Sequence, residues 1–142
     1  MNTVSHLLHG KGHEVWSIGP DASVYDAIHL MAEKGIGALV VLQGELLVGI
    51  ISERDYARDV VLKDRSSKET LVREIMSGKV VYAEPDQTVD ECLAVMTEKR
   101  IRHLPVMDGD QMLGLISMGD LVKTIIAEQK LTIDQLERYI TG

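Results

Sequence analysis

The chain has 142 residues, of which 45% are apolar and 26% charged, and its formal net charge is −7. That length and apolar content fit an ordinary globular body and exclude extended disorder, while the acidic balance speaks against general affinity for nucleic acid or anionic lipid and leaves room for a local basic pocket. No stretch approaches the apolar length of a membrane span, the N-terminal Met1-Asn2-Thr3-Val4-Ser5-His6 has neither the basic start nor the apolar run of a secretory signal, and the single Cys92 rules out an internal disulfide framework; together these predict a reducing cytoplasm.

Val4, Leu7 and Leu8 predict a short helix, followed by a loop at Gly10-Lys11-Gly12. His6, His9 and His13 are close in sequence, but no thiol or carboxylate completes a ligand pattern and they read as solvated surface, not as a metal site. Val15 to Ile18 reads as a strand ended by Gly19-Pro20. Ser23 and Asp26 then form a capping box ahead of Val24, Ala27, Ile28 and Met31, one apolar helical face that stops near Gly35. Ala38 to Leu42 and Leu46 to Ile51 are apolar runs around Gln43-Gly44-Glu45, which predicts a hairpin. Ser52 opens another helix whose apolar residues Tyr56, Ala57, Val60 and Val61 sit at i, i+1, i+4 and i+5, and the polar stretch from Lys63 to Glu69 is a linker leading to a short helix from Leu71 to Met76.

The plan then repeats. Val80 to Ala83 is the leading strand. Thr88 and Glu91 cap a helix whose buried face is Val89, Cys92, Leu93 and Met96; His103 to Met107 and Gln111 to Ile116 form a hairpin; Leu121, Val122, Ile125 and Ile126 face inward from the helix after it. Sliding the sequence by 65 residues aligns Pro20–Ala57 with Pro85–Val122 without a gap, with 14 of 38 positions identical. Chance supplies about two or three, so the chain is a duplication. Two units of this size should share one core. Beyond Lys130, a box at Thr132 and Gln135 with Ile133, Leu136, Tyr139 and Ile140 predicts a separate amphipathic final helix in need of a partner surface.

The best-kept words of the duplication are Gly49-Ile50-Ile51-Ser52-Glu53-Arg54-Asp55 and Gly114-Leu115-Ile116-Ser117-Met118-Gly119-Asp120. Ser52 with Asp55, and Ser117 with Asp120, read at their plainest as two more capping boxes. The same corner also gathers a hydroxyl, free N–H groups and the positive end of a helix, which suits a phosphate, and a carboxylate one turn on that can accept two hydrogen bonds from a ribose diol. Pro105 removes a backbone donor, as at a sheet edge or a ligand interface. No Walker-type phosphate loop, dinucleotide fingerprint or catalytic triad pattern occurs, so an enzyme is not expected.

The order strand, helix, hairpin, helix, with Gly-x-Ile-Ser-x-x-Asp at the last junction of each copy and Arg102-His103-Leu104-Pro105-Val106 before the second hairpin, resembles the tandem CBS domains, named after cystathionine β-synthase. The resemblance covers residues 4 to 127. It implies a mixed α/β fold of two pseudo-symmetric βαββα units forming a Bateman module, with units at 4–63 and 64–127 and a C-terminal helix at 128–142. It further implies regulation through adenosine nucleotides bound in two clefts, with AMP the leading candidate and ATP, ADP or NAD as others, no required cofactor, a homodimer, and an output passed to an effector protein.

Residue by residue, the resemblance implies that Asp55 and Asp120 hold ribose hydroxyls, that Ser52 and Ser117 hold the α-phosphate, and that Arg102 and His103 match the family's basic pair that reaches a phosphate from the neighbouring unit. The first copy has Gly37 and Ala38 at those positions, leaving Arg54 as its available cation, whereas Gly119 replaces Arg54 in the second copy and opens the backbone to close approach. Val81, Tyr82 and Ala83, with Trp16 as their counterpart, are the implied adenine contacts, although Trp16 as plain core fits the sequence equally well. A scaffold that dimerises or binds partners with empty clefts stays open beside the sensor.

Overall fold

A computed structural model describes residues 2–141; Met1 and Gly142, the last residue of the 128–142 segment, lie outside the described residues. The chain condenses into two compact units. One is Val15–Val80, and the other joins the segment through Glu14 to everything from Val81 onward.

In the first of these, β1 (Ser17–Ile18) lies parallel to β2 (Ala38–Gln43), which pairs antiparallel with β3 (Leu46–Ser52). Gly44, at φ 65°, supplies the left-handed residue of the hairpin turn. α2 (Val24–Lys34) starts where Ser23 Oγ accepts the Asp26 N–H at 3.1 Å, and it stops at the left-handed Gly35. Its apolar stripe, Val24, Ala27 and Met31, packs on Leu39 and Val41 of β2 and Ile51 of β3. The Ser23/Asp26 box is half made, since the return bond from the carboxylate is present at Ser52 and Thr88 but not among the caps of α2. After β3 comes α3 (Glu53–Tyr56), which widens into a π-turn over Ala57–Val61. That widening corrects the expected regular helix: Val60 enters the core while Val61 turns out to solvent. α4 (Val72–Ile75) closes the unit with Val72 and Ile75 in its core.

The second-repeat unit carries α5 (Val89–Lys99), the hairpin β4 (His103–Asp108) and β5 (Gln111–Ser117), and α6 (Met118–Thr141). The leading strand shrinks to one parallel bridge, in which the Ala83 N–H reaches the Pro105 carbonyl and the Ala83 carbonyl accepts from Met107. α1 (Val4–Lys11) belongs here too: Val4, Leu7 and Leu8 are buried with Cys92, Met96, Leu104, Ile116 and Leu121. α1 thus clusters with the second repeat and α4 with the first. Thr3 bridges Thr88 as Leu71 bridges Ser23, and Val89 N donates to Asn2 O as Val24 N donates to Thr70 O. Each repeat thus receives the helix that precedes the other one in sequence.

Three further expectations are corrected. α1 runs through Gly10 and Lys11 and stops only at Gly12, φ 102°, so Lys11 sits on a helix and not in a loop. α6 is one helix, not two. Nothing between Ala127 and Leu131 breaks it, and Thr132, read as a cap, instead bonds back to the Glu128 carbonyl at 3.1 Å. Within it Leu121 is buried, whereas Val122 and Ile126, expected to face inward, are exposed.

Candidate functional site: two strand-to-helix corners

Each of the two repeated words folds into a strand-to-helix corner, and packing explains their glycines. A Cβ on Gly114 would stand 2.7 Å from Leu8 Cδ2, and one on Gly49 would stand 2.6 Å from Met76 Sδ and 2.9 Å from the Ser77 carbonyl. The strand must be bare where the exchanged segment crosses it.

In the Val15–Val80 unit the Ser52 N–H and hydroxyl donate to Asp55 Oδ2 at 2.9 and 3.0 Å, the Asp55 N–H returns to Ser52 Oγ at 3.3 Å, and Arg58 reaches Asp55 Oδ1 at 3.3 Å. Gly37 and Ala38 do adjoin the corner, because Ala38 pairs with Ser52 and the Gly37 carbonyl accepts from Glu53 N at 3.0 Å. Arg54 is exposed on the first turn. Trp16 is half-buried just ahead of β1, with the Lys34 ammonium 4.2 Å from its ring centre. A hollow lined by Ile28, Met31, Gly35, Ile36, Gly37 and Glu53 opens beside the corner; Ser52 and Asp55 do not line it.

In the second-repeat unit Ser117 N donates to Asp120 Oδ2 at 2.8 Å and Asp120 N to Ser117 Oγ at 3.1 Å. His103 pairs with Ser117 across the hairpin, and the Arg102 carbonyl accepts from Met118 N at 2.8 Å, so the basic pair and the corner meet. Gly119 faces open space apart from Ser117 Oγ. Ala83 lies against Pro105, Val81 packs on the core, and Tyr82 is exposed.

One partner is new: the Lys11 ammonium sits 2.5 Å from Asp120 Oδ2 and 2.6 Å from the Leu115 carbonyl. Burial opposes ionisation of Asp120, but the Lys11 ammonium and the Ser117 N–H outweigh it and hold the carboxyl below its ordinary range. Burial, then the nearby Lys11 charge, pushes His103 below the usual imidazole range against the pull of Asp120, and Arg102 adds to the depression. His13, one of the three clustered histidines, has Nδ1 at 2.7 Å from the Leu113 carbonyl. Among the described residues no group of three His, Cys, Asp or Glu side chains converges as a metal site would require.

The CBS domain family matches residues 12–61 and 72–127, over the two halves that carry these corners. The chain belongs to the CBS-domain family. The mitochondrial CBS domain-containing protein CBSX3 of Arabidopsis thaliana is 37% identical over 99% of this chain and 72% of its own length. A CBS-domain protein from Burkholderia ambifaria MC40-6, provisionally grouped with signal-transduction proteins, is 56% identical and superposes with a TM-score of 0.87 over 90% of this chain and 96% of its own. At 22% identity and a TM-score of 0.79, the CBS domain pair of protein MJ0100, solved with 5′-methylthioadenosine and S-adenosyl-L-methionine, shares the fold. A hexameric CBS-CP12 protein from cyanobacteria is 30% identical with a TM-score of 0.76 over 84% of this chain. CBS pairs of this kind are regulatory modules. No helix of the described residues is long and apolar enough to cross a membrane.

Proposed function

We propose that this CBS pair senses adenosine nucleotides, AMP foremost, by binding without catalysis, and hands the ligand state to an effector protein. The observation that carries the reading is the doubled corner: Ser52 with Asp55 and Ser117 with Asp120 each set a hydroxyl, a strand-to-helix N-terminus and a carboxylate within one turn. Arg102 beside the second corner, and Arg54 at the first, supply cations for a phosphate, and His103 adds a ring N–H donor beside Arg102. ADP, ATP and NAD present the same ribose and are the competing ligands. Calorimetric titration with that panel tests the reading. Asp55→Ala and Asp120→Ala should each weaken binding at one site about tenfold or more, the loss of a charge-assisted hydrogen bond. Absence of heat for every nucleotide at millimolar concentration would overturn it.

Each corner also satisfies its own polar groups without a ligand, and that favours a second reading, an interaction scaffold. A scaffold shows no shift in denaturation temperature across the same panel, whereas a ligand at a hundred times its dissociation constant adds about 2.7 kcal/mol.

The pair acts as a homodimer through the outer part of α6. From Glu128 onward every described residue of that helix is exposed, and Ile126, Ile133 and Ile140 alternate with Val122, Gln129 and Leu136 at heptad spacing. The β-branched a positions suit two strands, with Leu136 the one leucine at d and Gln129 a polar d position, and a lone helix end of this length is marginal in water. Sedimentation of wild type against Ile133→Lys should show a dimer becoming a monomer. A wild-type monomer or hexamer refutes the pairing.

A further inference from the structure

The second corner has a guest the first one lacks. Ile50 O, in β3, is answered by the backbone N–H of Ser77 at 2.9 Å, but the matching Leu115 O is answered by the side chain of Lys11, which also takes Asp120 Oδ2. Asp55 is braced by Arg58 from its own helical run; Asp120 is braced by a cation from a helix outside its repeat. Lys11 keeps 37% of its side chain exposed and Asp120 22%, so the pair borders solvent. Arg102 and His103 stand at the same corner.

A ribose diol that binds Asp120 must compete with Lys11 for the same carboxylate oxygen. An unphosphorylated nucleoside offers the displaced ammonium nothing in return. A 5′-phosphate does: the lysine stem is long and freely rotating, and its three donors accept any oxyanion geometry. We infer that Lys11 is a specificity-determining residue of the second-repeat site, closing on Asp120 when no ligand is present and exchanging that carboxylate for the phosphate of a 5′-phosphorylated nucleoside.

The inference rests on the nucleotide reading above, and the experiment separates the two. In an Asp55→Ala background, which weakens the first corner so that the two sites separate in a two-site fit, AMP and adenosine are titrated calorimetrically into Lys11, Lys11→Met, Lys11→Gln and Lys11→Arg proteins. With lysine present, AMP should bind at least tenfold more tightly than adenosine. Lys11→Met and Lys11→Gln should tighten adenosine severalfold by removing its competitor, weaken AMP, and so lower the AMP-to-adenosine ratio at least fivefold; Lys11→Arg should keep most of the ratio. A neutral variant that changes both affinities equally, or neither, overturns the role of Lys11 while leaving nucleotide binding intact. Absence of binding by either ligand to the lysine protein and to wild type overturns the nucleotide reading, and this inference with it.

Discussion

The seating of α1 on the second repeat makes a prediction with a definite sign. Leu8 is buried among Cys92, Met96, Leu104 and Ile116, so Leu8→Ala should destabilise the protein by about 2–5 kcal/mol. Gly114→Ala places a methyl 2.7 Å from Leu8 Cδ2. Overpacking of that kind costs about 1–3 kcal/mol, offset by about 0.4–1 kcal/mol from a stiffer unfolded chain. In the double variant the new methyl enters the space Leu8 vacated, so the pair should cost less than the two single losses together, by more than the ~0.5 kcal/mol within which independent sites add. Urea midpoints for the four proteins measure the coupling, provided the slope stays constant. The matching cycle of Gly49→Ala with Met76→Ala should couple more weakly, because the Ser77 carbonyl, 2.9 Å from the new Cβ, is backbone and remains. Strict additivity at Leu8 and Gly114 would mean that α1 does not cross the strand there, and the exchange of helices would fall with it.

Three further outcomes follow from the charges. Folding lowers the Asp120 carboxyl below its reference of 3.8, so its contribution is complete above that value and lost as pH falls through the folded one; Lys11→Met should therefore cost stability at pH 7 and little at pH 2, and an equal cost at both would refute the ion pair. His103 is depressed below 6.5, chiefly by burial, so the unfolded chain takes up the proton first and stability should fall as pH drops below 6.5; in His103→Gln that part of the slope should flatten, and an unchanged profile would place the titration elsewhere. Burial, aided by Glu91, pushes the Cys92 thiol up to about 11, so alkylation at pH 8 should be slow in the native protein and speed up in urea along the unfolding curve; fast native labelling would contradict its place in the core.

The elements were legible wherever period and punctuation agreed. Both hairpins, α2 and α5 follow from apolar runs, turn glycines and caps, and they stand where the duplication put them. What the letters did not reveal is non-local. Nothing in Val4, Leu7 and Leu8 says which repeat they enter, since an amphipathic stripe specifies a face and not its partner. The exchange could have been suspected only from Gly114 and Gly49, which stand inside predicted strands without a local reason until Leu8 and Met76 are seen against them. The Thr132 cap failed because a capping side chain works only where the helix has another reason to begin, and the run through Lys130 and Leu131 supplied none. Lys11 was hidden by its glycine neighbours, which suggested a loop although one of them is helical.

The corners show why identical motifs need not do identical work. Serine, aspartate and glycine are repeated because each strand-to-helix junction needs an N-cap, a return bond and a bare strand, demands that are local and the same in both copies. The group that answers the next carbonyl is not local. In one unit the chain after α4 turns back and Ser77 supplies an amide; in the other α1 stays helical one turn longer and presents a lysine instead. A duplicated site can therefore acquire a different electrostatic character through the helix it borrows, with no change in the motif itself. On that ground a neutral residue at position 11 should change the preference for AMP over adenosine at the second-repeat site alone, whereas loss of either aspartate weakens both ligands at its own site.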